Sequence, residues 1–222
     1  NQVYLNDGNG VFINSAQNLG NSKTLDLKLA DLDGDGDLDA FITNFNQNNK
    51  VWLNDGNGNF IDSGTNYGAS RSNGISLGDV DGDGDVDAFV SIYSSTSNMI
   101  WLNDGNANFS NSAQVLGSSF STDVALKDFD GDGDLDGDGD LDAFVGNFWN
   151  QGNKALFNDG TCLFVVDTNS YNDAYTSVVE LGDLDGDGDL DAFIGRGYGN
   201  YNSPNQVYLN DGNGVFINSA QN

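Results

Sequence analysis

The chain has 222 residues, with 34 acidic side chains against 7 basic ones and a formal net charge of -27, which excludes direct binding to nucleic-acid phosphates. It has no His and one Cys, Cys162, so zinc, haem and iron–sulfur ligation are excluded, as is a disulfide within the chain. No apolar run reaches the roughly eighteen residues of a membrane span, so no membrane insertion is expected, and 37% hydrophobic with 11% aromatic residues predicts a folded chain.

In chain order, residues 1–18 read as a hairpin around Asn6-Asp7-Gly8-Asn9-Gly10. Thr24 to Ala30 alternates as a strand and leads into an acidic loop; 40–44, 50–53 and 59–62 follow as three more strands. The last two flank Asn54-Asp55-Gly56-Asn57-Gly58, whose residues tolerate the positive φ of a tight turn. The succession then repeats. The turn Asn recurs at Asn6, Asn54, Asn103, Asn158 and Asn210, spaced by 48, 49, 55 and 52 residues, and six residues later stand Phe12, Phe60, Phe109, Phe164 and Phe216. The long spacing reflects Asp-Gly-Asp-Gly-Asp-Leu written twice between Asp130 and Leu141. A period in the high forties suits a four-stranded propeller blade.

The sequence therefore predicts an all-β fold, a β-propeller of four-stranded antiparallel blades at roughly 23–64, 73–113, 122–167 and 176–218. Residues 1–18 and 205–222 are identical. Either hairpin could complete the blade opened by 177–195, which leaves one over. Three explanations stand open: an engineered duplication, a segment of a longer array with a 204-residue period, or a hairpin donated to a neighbouring chain for self-association.

The chemistry sits in the acidic loops, D-x-D-G-D-G-D-x-D. Asp31, Asp33, Asp35 and Asp39 occupy positions 1, 3, 5 and 9 of the first, with Gly36 at the sharp turn and Asp37 offering a backbone carbonyl from position 7. Such a set suits calcium, which takes six to eight oxygens, better than magnesium, which keeps its waters. The second set is Asp79, Asp81, Asp83, Asp85 and Asp87; the fourth is Asp183, Asp185, Asp187, Asp189 and Asp191. The lengthened third loop offers two registers. Asp134, Asp136, Asp138, Asp140 and Asp142 keep the usual junction to Ala143-Phe144 and are preferred; Asp128, Asp130 and Asp132 with Asp136 are the alternative. About four Ca2+ ions per chain are expected. An EF-hand is excluded, because position 12 holds Ile42, Val90, Val145 or Ile194 where that motif needs Glu on a helix.

These loops, with the hairpins Asn49–Phe60 and its equivalents, resemble the FG-GAP/VCBS calcium-binding repeats of integrin-α-like β-propellers. The resemblance implies a calcium site between the first two strands of each blade, an extracellular or cell-surface setting, and a role in adhesion or ligand recognition. The Gly-Ala-Pro of the name-giving pattern is absent, and four blades are fewer than the usual seven or so.

Tyr4, Trp52, Trp101 and Tyr208 recur at one strand position and read as inter-blade core. Tyr93, Trp149, Tyr198 and Tyr201 fall in the variable segments after the second strands and are the candidate ligand surface, for a glycan or a surface protein. With no His base and most Asp in the loops, no catalytic residue stands out and the chain is expected not to be an enzyme.

Overall fold

A computed structural model of the chain describes residues 1–130, 140–169, 171, 175–197 and 203–220, and every helix or strand among them is β. β1 (Tyr4–Asn6) and β2 (Phe12–Asn14) form a separate two-stranded sheet. Next come β3 (Thr24–Ala30), β4 (Asp39–Asn54) and β5 (Phe60–Asp62), then β6 (Tyr67–Gly78), β7 (Asp87–Ile92), β8 (Met99–Leu102) and β9 (Ser110–Asn111). β10 (Ser121–Lys127), β11 (Asp142–Asn147), β12 (Lys154–Phe157) and β13 (Val165–Val166) make a four-stranded antiparallel sheet in sequence order. β14 (Thr176–Gly182), β15 (Asp191–Arg196), β16 (Gln206–Asn210) and β17 (Phe216–Asn218) make another. The structure thus gives the hairpin of β16 and β17 to the fourth blade.

The first two blades are fused into one seven-stranded sheet. Where the sequence separates strands at 40–44 and 50–53, β4 runs continuously. Its middle pairs with the start of β6, Phe45 opposite Arg71 and Asn49 opposite Tyr67, so residues of the expected loop become a ladder to the next blade.

Every blade repeats one register. Ala30, Gly78, Lys127 and Gly182 stand opposite Asp39, Asp87, Asp142 and Asp191, so each acidic loop connects the first strand of its blade to the second. Each first strand also shifts register near its start, for example between Thr24 and Asp26 and between Ser121 and Asp123.

The cores lie between blades, as the two-residue period requires. On β7, Ala88, Val90 and Ile92 face the first blade with Phe41 and Ile75, while Phe89 faces the third with Val124 and Phe164. On β11, Ala143 and Val145 face the second blade and Phe144 faces the fourth, among Tyr171, Tyr208 and Phe216. Hydrogen bonds repeat the connection along the inner strands. Asp26 accepts from Ile75 N (3.1 Å), Asn73 Nδ2 donates to Thr122 O (2.7 Å), and Asp123 accepts from Val179 N (2.9 Å). The inner strands line a cavity of about 410 Å³. No helix among the described residues is long and apolar enough to cross a membrane.

Candidate metal centres and ligand surface

Glycine amides shape the first, second and fourth loops. Asp31 accepts from Gly34 N (2.8 Å) and Gly36 N (3.0 Å), Asp79 from Gly82 N (2.9 Å) and Gly84 N (2.8 Å), and Asp183 from Gly186 N (2.7 Å). The position 6 glycines Gly36, Gly84 and Gly188 have φ of 92°, 90° and 101°, a backbone that a side chain would strain. The loop end is tied twice. Asp39 accepts from Leu32 N (3.0 Å) and Asn54 N (2.7 Å), and Asp87, Asp142 and Asp191 repeat both bonds in their blades.

The result is four triads whose oxygens lie within 4.8 Å of one another: Asp31, Asp33 and Asp39; Asp79, Asp81 and Asp87; Asp128, Asp130 and Asp142; Asp183, Asp185 and Asp191. Asp35, Asp83 and Asp187 stand outside these triads. Asp37, Asp85, Asp140 and Asp189 turn their carboxylates toward the turn glycines Gly56, Gly105, Gly160 and Gly212. In the third loop the ladder fixes both ends, with Asp128 following Lys127 at the entrance and Asp142 at the exit, so the triad combines residues of both sequence registers. Asp132, Asp134, Asp136 and Asp138 lie outside the described residues.

Crowding shows in the acidities. Desolvation first, and neighbouring carboxylates after it, push Asp33, Asp81 and Asp185 above the usual carboxylate range. Desolvation raises Asp87 and Asp142 to about 7 against the amides that bond them. Oδ1 of Asp81 is buried with no hydrogen-bond partner among the described residues. A hard cation fits all three observations: an all-oxygen set, mutually repelling carboxylates, and a buried acceptor lacking a donor.

The loops also join blades, which the sequence reading missed. Asn103 Nδ2 donates to Leu32 O in the preceding blade (2.9 Å) and to Val86 O in its own (3.2 Å). Asn158 does the same to Val80 and Leu141, and Asn210 to Phe129 and Leu190. The recurring turn Asn was the available signal.

At the other end of the inner strands lies an aromatic basin. Phe45, Tyr93 and Phe148, with Leu25, Asn73, Thr122 and Ser177, line a cavity of about 560 Å³. Tyr93 packs on Phe120 and Phe148 at 5.5 and 5.8 Å, and Phe148 on Trp149 and Tyr175 at 5.4 and 5.0 Å. Trp149 is half exposed on a backbone with φ of 57°. Phe45 was overlooked, yet it could have been found: Phe45, Tyr93 and Phe148 each follow the last loop Asp by six residues. Tyr198 and Tyr201 lie outside the described residues. Trp101 and Tyr208 pack between blades against Tyr67 and Tyr171, at 5.6 and 5.5 Å, whereas Tyr4 is exposed.

The FG-GAP-like repeat family matches the chain three times, over residues 31–90, 79–136 and 134–194. Among solved structures, the chain is similar to an Agrocybe aegerita lectin that specifically recognises non-reducing terminal N-acetylglucosamine. The identity is 21% and the TM-score 0.59, over 97% of this chain and 58% of that one. It is also similar to BBS1N in complex with ARL6DN, at 13% identity and a TM-score of 0.54, over 89% of this chain and 56% of that one. Both likenesses show the β-propeller fold, and the chain spans a little over half the length of each protein. No curated protein matches the chain.

Proposed function

Because the chain belongs to the FG-GAP-like repeat family, we propose that it is a calcium-stabilised, non-enzymatic propeller module that recognises a glycan outside the cell or at its surface. Calcium would be held by the triads, with Asp31, Asp33 and Asp39 as the pattern, and would act as a structural ion that neutralises the loop and fixes its blade. Extracellular modules bind calcium at roughly 10⁻⁴–10⁻³ M, a range that suits permanent loading outside cells.

The observation that carries recognition is the aromatic basin. Phe45 and Tyr93 supply partly exposed apolar rings beside the buried Phe148, and Asn73, Thr122 and Ser177 add polar groups along the wall, a combination that suits one face and the hydroxyls of a neutral sugar. Seven-residue inner strands, about 20 Å long, separate the basin from the loops, so the ions would support the site without touching the ligand. The lectin neighbour favours a sugar over other ligands.

Glycan-array binding of calcium-loaded protein tests this reading. Binding to a defined sugar class, reduced on the order of tenfold by Tyr93→Ala, is the expected result. A blank array from folded, loaded protein would refute it.

A further inference from the structure

The chain has 7 basic side chains among 34 acidic ones, and two of the seven border the aromatic basin. Arg71 stands between the basin's two partly exposed rings. It pairs with Phe45 across the ladder that joins the first two blades, and its carbonyl accepts from Tyr93 N (2.8 Å). The side chain is exposed, and its guanidinium carbon lies 5.5 Å from the centre of the Phe45 ring. That stacking holds the planar head at the rim of the basin. Lys23 lies on the other side of Phe45, whose amide donates to Lys23 O (2.9 Å). Among the described residues neither cation has an acidic partner, whereas Lys50, at the same end of the first blade, is paired with Asp62 (3.1 Å).

Charge is arranged in layers along the inner strands. Most of the acidic residues stand in the loops at the far end, about 20 Å from the basin. That is more than two Debye lengths of about 8 Å at physiological ionic strength, so the net charge of -27 is strongly screened at the rim. Just below the basin the sign is negative. Asn73 and Thr122 line the basin and also the cavity between the inner strands, which Asp26 and Asp123 line too, with Lys28 and Lys127 farther along the same strands. An anionic group turned inward would meet these two carboxylates, and one turned outward would meet Arg71.

We infer that the basin selects an acidic glycan, seating a neutral unit on Phe45 and Tyr93 while Arg71 holds a carboxylate or sulfate of the same glycan at the rim. This rests on the recognition reading above and names the class of sugar it takes. A guanidinium fork matches either anion with two parallel N–H···O bonds. One such group asks far less of an acidic chain than a phosphate backbone, whose charges are closely and regularly spaced.

The test compares each acidic glycan with its neutral counterpart on the calcium-loaded chain. Glucuronate-containing oligosaccharides are set against their carboxyl-reduced forms, in which glucuronate becomes glucose, and sulfated oligosaccharides against their desulfated forms. An acidic form is expected to bind about tenfold more tightly than its neutral counterpart, and the two comparisons tell carboxylate from sulfate. Arg71→Gln should abolish that preference and leave binding of the neutral form unchanged; the backbone bonds to Phe45 and Tyr93 survive any side chain here except proline. Arg71→Lys should keep part of the preference, because the charge remains and the fork is lost. Lys50→Gln removes the same formal charge at the same end and should change neither form's binding, and Tyr93→Ala should weaken both forms alike. Equal binding of acidic and neutral forms would overturn the proposal and leave the recognition reading standing. Equal losses from Arg71→Gln and Lys50→Gln would also overturn it, because bulk charge would then be the cause. A blank result for every form would refute recognition itself, and this inference with it.

Discussion

Asn103→Ala separates what a turn asparagine does for its own blade from what it does for its neighbour. The substitution removes three hydrogen bonds: a local one that Oδ1 accepts from Asp104 N, matched at Asn54 by one from Gly58 N, and two from Nδ2, to Leu32 O and Val86 O, inside a buried site. At about 1 kcal/mol net for each Nδ2 bond, plus the cost of a buried carbonyl left without its donor, the loss beyond the shared local bond comes to about 2–3 kcal/mol. For a chain of this size that corresponds to a fall in melting temperature of about 5–10 °C. Asn54→Ala is the internal control. Asn54 holds the same place in its repeat but donates only to Leu38 O of its own blade (3.2 Å), so about 1 kcal/mol and 2–4 °C are expected. Differential scanning calorimetry in saturating calcium reads both, and Asn158→Ala and Asn210→Ala should follow Asn103→Ala. Equal losses at Asn54 and Asn103 would refute the reasoning, because the bond between blades would then contribute nothing.

Three further outcomes are expected. Chelation should lower the melting temperature sharply, since a site of about 10⁻⁴ M affinity in 10 mM calcium supplies about 2.7 kcal/mol; an unchanged melt would sink the calcium assignment. Burial lifts the Asp123 carboxyl to about 6, above its unfolded value near 4, so its protonated form favours the native state. That contribution is complete below pH 4 and is lost as pH rises through 6, so Asp123→Asn should match the parent near pH 4 and exceed it by up to about 3 kcal/mol at pH 7. A stability gap that stays constant with pH would contradict this account. Burial also holds the Cys162 thiol at about 11, so a thiol reagent at pH 8 should label it slowly with calcium and quickly after chelation; equal rates would mean that the loops do not hold the blades closed.

Much of this architecture was legible because the repeat is written in small, unambiguous signals. Alternation placed β3 to the residue, and the acidic loops contain the twelve triad carboxylates, Asp128 and Asp130 only in the register that was not preferred. What the sequence hid were relations between repeats. The continuity of β4 depends on a ladder to β6, and a local pattern of Asn and Gln residues at 46–49 reads as a loop until that partner is known. The third loop was read as two competing nonapeptides, whereas the ladder sets Asp128 and Asp142 at its ends and lets the extra residues lie between. Phe45 holds the same place in its repeat as Tyr93 and Phe148, just after the strand read at 40–44, but it lies within the continuous β4, and its role appears when Tyr93 and Phe148 come around the same cavity.

The loops and the stitches between blades belong to one device. Each last loop Asp accepts from the loop's second residue and from the turn Asn of its own blade, while the carbonyl of that second residue accepts from the turn Asn of the next blade in three successive junctions. A cation that draws a triad together therefore fixes the loop segment that carries the neighbour's hydrogen-bond acceptor. In a stacked array, stability is the sum of blade terms and nearest-neighbour interface terms, and an ion placed here strengthens both at once. The same geometry explains how so acidic a chain can fold at all. Most of its carboxylates are gathered in loops where cations can neutralise them and where backbone amides already point, and the inter-blade clusters are built largely of Phe, Tyr, Val, Ile and Leu.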